Sequence, residues 1–327
     1  VNPAIKLVAM STATVDDNFL DSCIEAGILD YCDAISCHPY DWDTNADETG
    51  KDRIRNDVYR ERAAHVRKKL DDAGYPDIEI SWTEMGVRSG PLWASEIAQA
   101  AYLTQLMAIM QGEAVADNIY QFNFVNPGLD DDLRTGESHW GLLYDNKEQT
   151  GPYAAKLSYI AMAGYNKFLP DAKPAGNIIK DGTSIYRFER NSDNKDVIVL
   201  WSDNSYDNIG LNLGTSEIEV YDMYSNKQGT LKSSGGTYSF TTTFEPMYLV
   251  GDFQSFEECE PAISVGNARA FAAPSDQTAF TIEDRFGRSL RIEAEARDAI
   301  EIIKNDGMVN GNADISVKTG DDIAPEN

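Results

Sequence analysis

Basic residues, cysteine and histidine are scarce in this chain of 327 residues. Its 28 lysines and arginines stand against 54 aspartates and glutamates, which gives a formal net charge of -26. A surface of this charge repels phosphate backbones and anionic lipids, so we expect neither nucleic acid nor a membrane as a partner. No run approaches the roughly 18 apolar residues that a membrane span needs. The hydrophobic content of 42% is that of a globular protein.

The four cysteines form neither a C-x-x-C pair nor a spacing typical of zinc sites. Three of them lie in apolar or strand-like surroundings, where a free buried thiol is the common state. We therefore expect no structural metal, no disulfide framework and no cofactor. The opening Val1-Asn2-Pro3 lacks the basic and apolar regions of a signal peptide, so none is expected in this chain.

Strand-like and helix-like segments alternate four times through residues 1–170. The predicted strands are 5–10, 31–37, 78–86 and 118–124, and the predicted helices are about 16–26, 52–73, 95–110 and 152–168. This alternation predicts a parallel β/α architecture. A closed (β/α)8 barrel needs about 250 residues. The segment is therefore either an open α/β sheet or half of a barrel.

The pattern changes after about Pro170. Between residues 177 and 253, short runs alternate polar and apolar residues and are separated by Asn, Gly and Ser turns, which predicts an antiparallel β-sandwich. Residues 257–327 contain further strand-like pieces, at 279–282 and 289–293, and an acidic end. We interpret this tail as a further β-rich segment or the start of a third domain.

The third predicted strand delivers a carboxylate, Glu84, at its C-terminal end. The neighbouring strand ends contribute a histidine, a tyrosine, tryptophans and an asparagine: His38, Tyr40, Trp42, Asn123 or Asn126, His139 and Trp140. In α/β barrels such strand ends converge on one site. A carboxylate with Tyr and His neighbours and Trp faces suits glycoside hydrolysis. The alternatives are that Glu84 caps a helix or faces water, that His38 belongs to the core, and that Trp140 only packs.

Three of these stretches resemble a known group of enzymes. Asp33–Tyr40, Ile80–Gly86 and Tyr120–Phe124 are similar to strands six, seven and eight of clan A retaining glycoside hydrolases, which are (β/α)8 barrels. Asn2–Val8 resembles the segment that leads into strand five of family 39-like members. The resemblance implies that residues 1–170 are the C-terminal half of a TIM barrel, followed by a β-sandwich.

The resemblance also implies roles for the strand-end residues. Glu84 would be the nucleophile, Tyr40 would orient it, His38 would shape the sugar subsite, and Trp140 would be a stacking platform. The other substrate-binding candidates are Trp42, Asn123 and His139. The clan's acid/base belongs to an Asn-Glu pair on strand four, which this sequence lacks. The local candidates for a substitute are Asp43, Glu48 and Glu137.

The sequence thus predicts a retaining glycoside hydrolase acting by double displacement, with this chain a fragment that lacks the acid/base and is inactive or nearly so alone. Its partners would be an oligo- or polysaccharide substrate and the missing N-terminal half of the barrel. From the function class we expect a secreted or cell-surface protein. One alternative is a non-catalytic carbohydrate-binding or scaffolding protein derived from a glycosidase. Another is an interaction protein without a sugar site, in which Trp42, Trp93 and Trp140 would be buried.

Overall fold

The computed structural model of the protein describes residues 5–40, 56–90, 94–114, 116–127, 139–145, 151–193, 195–203, 207–266, 277–285, 300–305 and 312–319. Its first sheet has four parallel strands side by side in chain order. These strands are β1 (Val8–Ala9), β2 (Ala34–Cys37), β3 (Glu79–Met85) and β4 (Asn118–Gln121). The helices are α1 (Asp17–Glu25), α2 (Asn56–Asp72) and α3 (Glu96–Gly112) between the strands, and α4 (Leu157–Phe168) after them. The predicted α/β content of this part is confirmed.

The helix starts follow local hydrogen-bonding chemistry. The Asp16 carboxylate accepts from the Phe19 backbone N–H at 3.0 Å and caps α1. The Ser95 hydroxyl accepts from the Ala98 N–H at 3.1 Å and caps α3. These side chains satisfy donors that a helix N-terminus leaves unpaired.

Four predicted elements have different bounds in the structure, and one of them is the fourth strand, which was predicted for 118–124 and ends at Gln121. The first strand is shorter than 5–10, and residues 28–31 form a 3-10 helix ahead of β2. The helix predicted from Pro152 begins at Leu157. In that last case the chain at 153–156 pairs with 142–145 through backbone hydrogen bonds, so tertiary contacts delay the helix.

The second half of the chain is antiparallel β-structure, as predicted. A six-stranded sheet has the order β10-β9-β12-β7-β6-β5, and a three-stranded sheet has the order β11-β8-β13. Their strands are β5 (Ala172–Lys180), β6 (Thr183–Arg190), β7 (Asp196–Ser202), β8 (Asp207–Asn212), β9 (Glu217–Asp222), β10 (Lys227–Lys232), β11 (Thr237–Thr242), β12 (Met247–Gly251) and β13 (Glu257–Cys259). Residue 177, the predicted start of this unit, lies within β5.

A further antiparallel sheet has the order β14-β15-β17-β16. Its strands are β14 (Ile263–Gly266), β15 (Gln277–Asp284), β16 (Ile300–Asn305) and β17 (Asn312–Thr319). The strand predicted at 279–282 lies in β15, whereas the one predicted at 289–293 lies outside the described residues.

The six-stranded sheet is the middle layer of the molecule. On β7, Val197, Val199 and Trp201 pack in a cluster with residues of α3 and α4, while Ile198 and Leu200 pack in a cluster with the three-stranded sheet. All seven residues of β7 are buried, as expected for a strand that is covered on both faces. This arrangement also explains why α3 is buried on almost every side: it lies between the parallel sheet and the antiparallel one.

The four cysteines are free thiols. Within the described part of the chain, no helix is long and apolar enough to cross a membrane.

Candidate active site

Glu84 and His38 meet at the C-terminal edge of the parallel sheet. Cys37 on β2 lies opposite Trp82 on β3, so the residues that follow them are neighbours. The His38 Nδ1 atom is 3.8 Å from the Glu84 Oε2 atom, and the two side chains are 16% and 32% exposed. The His38 backbone N–H also donates to the Thr12 carbonyl at 3.2 Å, which holds the end of β2 against the loop after β1.

A β-bulge in β3 decides where Glu84 points. Trp82 pairs with Ile119 and Met85 pairs with Gln121, so two residues of β3 face the single Tyr120 of β4. Trp82 and Met85 are both fully buried in the core beneath the helices. In a regular strand, residues three apart point to opposite faces. The extra residue therefore leaves Thr83 and Glu84 on the face away from the helices, and bulges commonly redirect side chains in this way.

Hydroxyl groups line the same face of the sheet. The Ser36 hydroxyl on β2 is hydrogen-bonded to the Thr83 hydroxyl on β3. One layer earlier, the Asn118 side-chain amide donates to the Ser81 hydroxyl at 3.3 Å. On this face of the sheet, the side chains that precede Glu84 along the strands are polar, whereas the opposite face belongs to the apolar core.

Aromatic side chains continue the site from His38. The His38 and Tyr40 ring centroids are 6.3 Å apart, and those of Tyr40 and Trp140 are 5.4 Å apart. Phe122 also contacts Trp140, with the two ring centroids 5.9 Å apart. The Arg88 guanidinium lies 5.7 Å from the Trp140 ring centroid. Trp140 is consequently only 5% exposed, and a sugar could stack on this face only after Arg88 moves aside.

The loop that carries Tyr40 is held from α2. The Arg62 guanidinium donates to the backbone carbonyls of Pro39, at 3.2 Å, and of Tyr40. Tyr40 itself is 4% exposed. The Arg62 side chain of α2 therefore holds the backbone that carries the Tyr40 side chain.

Close approach of β3 and β4 requires a glycine just beyond Glu84. A Cβ atom added to Gly86 would lie 2.1 Å from the Phe122 carbonyl oxygen. The Phe122 N–H donates to the Met85 carbonyl at 2.6 Å, and the Phe122–Asn123 peptide bond is cis. The glycine thus lets the end of β4 bring Phe122, and through it Trp140, against the end of β3.

The described residues include three further predicted candidates, Asn123, Asn126 and His139. The Asn123 carbonyl accepts from the Leu142 N–H at 3.3 Å, and its side-chain oxygen is buried with no hydrogen-bond partner among the described residues. The ring of His139 lies against Gly90, at 3.2 Å from a Cβ atom added there. Four other candidates lie outside the described residues: Trp42, Asp43, Glu48 and Glu137.

Neither the models of known protein families nor the curated proteins give a match to this chain. Solved structures do. A family 39 glycoside hydrolase from the gut symbiont Bacteroides cellulosilyticus WH2 matches 72% of this chain at a TM-score of 0.56 and 19% identity. A glucosidase from Croceicoccus marinus matches 76% of it at a TM-score of 0.52 and 12% identity. The chain has a glycosidase-like fold.

The chain covers 47% of the first of these structures and 60% of the second, so it spans about half to three fifths of their length. In (β/α)8 barrels, active-site groups lie at the C-terminal ends of the strands. Glu84, His38, Tyr40 and Trp140 form a continuous series of contacts at that edge. The prediction that these four residues lie together rested on their places at or after the ends of the predicted strands and on the resemblance to clan A glycoside hydrolases.

Two contributors to this edge were not predicted. Arg88 lies four residues after Glu84, and an arginine in the loop after the strand that carries Glu84 was a signal that the sequence offered. Lys156 is buried behind the site at 1% exposure, and only the fold brings it there. Among the described residues, no group of three or more His, Cys, Asp and Glu side chains could hold a metal ion.

Proposed function

We propose that this chain carries the nucleophile-bearing part of a retaining glycoside hydrolase, with Glu84 as the nucleophile. The observation that carries the proposal is the bulge in β3, which turns Glu84 away from the helices and to within 3.8 Å of His38 at the C-terminal sheet edge. The similarity of the fold to glycoside hydrolases supports the same reaction class. A strand-end carboxylate that only capped a helix would not need this redirection.

In the proposed reaction, a Glu84 carboxylate oxygen attacks the anomeric carbon of the sugar. The bond from that carbon to the leaving oxygen breaks as the glycosyl ester forms, and the departing oxygen takes a proton from an acid. A water molecule then gives its proton to the conjugate base of that acid and hydrolyses the ester, which releases Glu84. Tyr40 would orient the nucleophile, and His38, Asn123, His139 and Trp140 would contact the substrate, together with Trp42.

The second carboxyl group is proposed to come from further β/α units. Retaining enzymes place their two carboxyl groups about 5 to 5.5 Å apart. The sequence lacks the Asn-Glu pair that would carry the clan's acid/base, and the ionisable group recorded beside Glu84 among the described residues is His38. We therefore propose that the acid/base belongs to another half of a (β/α)8 barrel, of which β1 to β4 would be strands five to eight, with the antiparallel sheets as a following sandwich.

Exposed apolar side chains at both edges of the parallel sheet support such a partner. In the described sheet, β1 and β4 are the outer strands. Val8 on β1 is 50% exposed, Tyr120 on β4 is 56% exposed, and Phe124 just beyond β4 is 59% exposed. Unpaired strand edges with apolar neighbours favour pairing with further strands.

The substrate class proposed is a neutral oligo- or polysaccharide, since a surface with a net charge of -26 disfavours polyanions. A secreted or cell-surface location fits this class of substrate. Both statements rest on the proposed reaction.

The experiment is covalent labelling with a panel of dinitrophenyl 2-deoxy-2-fluoroglycosides. Because dinitrophenolate leaves without protonation, formation of the glycosyl ester needs the nucleophile but not the acid. We expect the intact mass of the protein to rise by one fluoroglycosyl group, and peptide mapping to place that group on Glu84. The Glu84→Gln variant should remain unlabelled.

Glu79→Gln is the matched control, because Glu79 lies on the same strand but at its opposite end, and it should label normally. Saccharide binding without labelling, unchanged in Glu84→Ala, would favour the non-catalytic binding protein instead. If no sugar binds and none labels the protein, both the glycosidase and the sugar-binding proposals are contradicted. Turnover of an aryl glycoside by this chain alone, lost in Glu84→Gln, would overturn the need for a second half.

A further inference from the structure

Buried side chains hold both peptide groups that flank Trp140. The His139 carbonyl, in the peptide before Trp140, accepts from the Ser89 N–H at 3.2 Å, the Gln99 side-chain amide at 3.3 Å and the Lys156 ammonium at 3.2 Å. The Gly141 N–H, in the peptide after Trp140, donates to the Asn126 side-chain oxygen at 2.9 Å. Since the two peptide planes set the direction of the Trp140 Cα–Cβ bond, these contacts fix the direction in which the indole leaves the backbone.

Lys156 is the exceptional member of this group. It is 1% exposed, and lysine is almost never buried to that degree unless its charge is paired or hydrogen-bonded. Its ammonium also donates to the Ser89 hydroxyl at 2.8 Å, and Ser89 is 2% exposed. The same ammonium lies 6.0 Å from the centre of the Tyr144 ring.

The position of Lys156 in the chain lets it join two loops. It is the last residue before α4, and its own N–H donates to the Leu142 carbonyl at 3.0 Å. Its side chain reaches Ser89 in the loop after β3 and the His139 carbonyl in the loop after β4. The first loop carries Arg88, and the second carries Trp140.

We propose that Lys156 is a positioning residue that sets the pose of Trp140 in the candidate active site. Through the Trp140–Tyr40 contact at 5.4 Å, it also sets the wall that Tyr40 forms beside His38 and Glu84. The consequence for substrate rests on the proposed glycosidase function; the effect on the indole does not. A donor that is charged makes a stronger hydrogen bond than a neutral one, so the ammonium outweighs its two co-donors at the His139 carbonyl.

The test uses the full chain labelled with 5-fluorotryptophan and observed by 19F NMR. The Trp140 resonance is assigned by its loss in Trp140→Phe, and the Trp201 resonance, in the distant antiparallel sheet, is assigned in the same way. In Lys156→Met, and to a smaller degree in Ser89→Ala, the Trp140 resonance should shift or broaden while Trp201 stays unchanged. Lys156→Arg, which keeps the cation, should restore part of the original signal.

The matched control is Lys232→Met, which removes a lysine whose side chain is 75% exposed and should leave every tryptophan resonance in place. An unchanged Trp140 resonance in folded Lys156→Met would overturn the proposal. If that variant does not fold, the milder Ser89→Ala decides in the same way.

A second readout is the rate of fluoroglycoside labelling at Glu84, which should fall about 10-fold to 100-fold in Lys156→Met, as for other small displacements of positioning groups. If the unsubstituted chain is not labelled, the labelling experiment contradicts the proposed function. The 19F NMR result still decides the role of Lys156. A normal labelling rate together with a shifted Trp140 resonance would mean that Lys156 positions the indole but has no effect on the reaction with substrate.

Discussion

At the scale of single residues, the geometry of the candidate site depends on the exact position of individual side chains. One extra residue in β3 puts Glu84 beside His38 instead of among the helices. Directly before His38, Cys37 occupies the opposite face and is 3% exposed. Cys37 in the apolar core and His38 in the candidate site are therefore consecutive residues. The reactivity of the Cys37 thiol tests whether solvent and reagents are excluded from that core.

Burial raises the pKa of the Cys37 thiol to about 12. At pH 8 the thiolate is then about one part in ten thousand, and the thiolate is the form that reacts. We expect iodoacetamide at pH 8 to modify half-buried Cys23 well before Cys37, which should react only when the protein unfolds. Peptide mapping over time, with and without urea, measures this order, and equal rates at Cys23 and Cys37 would contradict a closed core beneath His38.

Residue positions were predictable where they depended on strand ends. Glu84 is the penultimate residue of β3, whereas His38 and Tyr40 follow β2, and parallel strands end at one edge, so their meeting was predictable from these positions. Lys156 was not predictable, because its burial depends on the path of residues 139–145 and on the delayed start of α4. The bulge was equally hidden, since nothing in the pattern of residues 78–86 distinguishes it from a regular strand.

At the scale of elements, periodicity identified segments better than it identified their ends. The apolar stripe of α2 and the apolar run of β3 are local patterns, and both elements were predicted. The strand β10 is mostly polar and carries no alternating apolar pattern, so periodicity alone does not identify it. The order of strands in the six-stranded sheet could not be predicted either, because it depends on pairings between segments distant in sequence.

The junction of β3 and β4 gives an element-scale prediction. In Gly86→Ala the new methyl group would lie 2.1 Å from the Phe122 carbonyl oxygen, so the two strand ends must separate. We expect the free energy of unfolding to fall by about 1–3 kcal/mol, as for other overpacked sites. Because Phe122 contacts Trp140, the fluorotryptophan resonance of Trp140 should also move.

Gly229→Ala is the control for that substitution, because a Cβ atom there meets nothing within 4 Å. It should leave the urea midpoint within experimental scatter. A Gly86→Ala protein with unchanged stability and an unmoved Trp140 would mean that β3 and β4 do not approach as closely as the structure has them.

At the scale of the whole molecule, the parallel and antiparallel parts share a core. Ala108 and Ile109 of α3 and Tyr165 and Phe168 of α4 pack in the same cluster as Trp201 and other residues of the six-stranded sheet. Polar contacts join the parts as well: the Gln111 amide donates to the Ala172 carbonyl at 2.8 Å, and the Gln105 amide donates to the Phe244 carbonyl at 2.6 Å.

Tyr186 of β6 joins residues of α2 and α3 across this interface. Its hydroxyl donates to Glu113 at 2.7 Å and accepts from Arg60 at 2.6 Å, and a Cβ atom on Gly112 would lie 2.3 Å from its ring. Burial raises the pKa of the Tyr186 phenol, and its bond to Glu113 raises it further, so the proton remains available for donation at neutral pH. An interface with this much buried contact should not open independently of the units that it joins.

We therefore expect one cooperative unfolding transition for both parts. In a urea titration of the 5-fluorotryptophan protein, Trp82 reports on the parallel sheet and Trp201 on the antiparallel one, and their midpoints should coincide. Tyr186→Phe should lower both midpoints together, by about 1–2 kcal/mol in unfolding free energy, because the half-buried Arg60 and Glu113 lose a shared partner. Tyr31→Phe, at a side chain 77% exposed, is the control and should change neither midpoint.

Two outcomes would contradict a single transition: different midpoints for Trp82 and Trp201, or a Tyr186→Phe protein in which only the Trp201 midpoint moves. Either would favour the domain boundary predicted near residue 177 and would make the antiparallel part an independent folding unit. Cooperative unfolding requires that neither part be stable without the other.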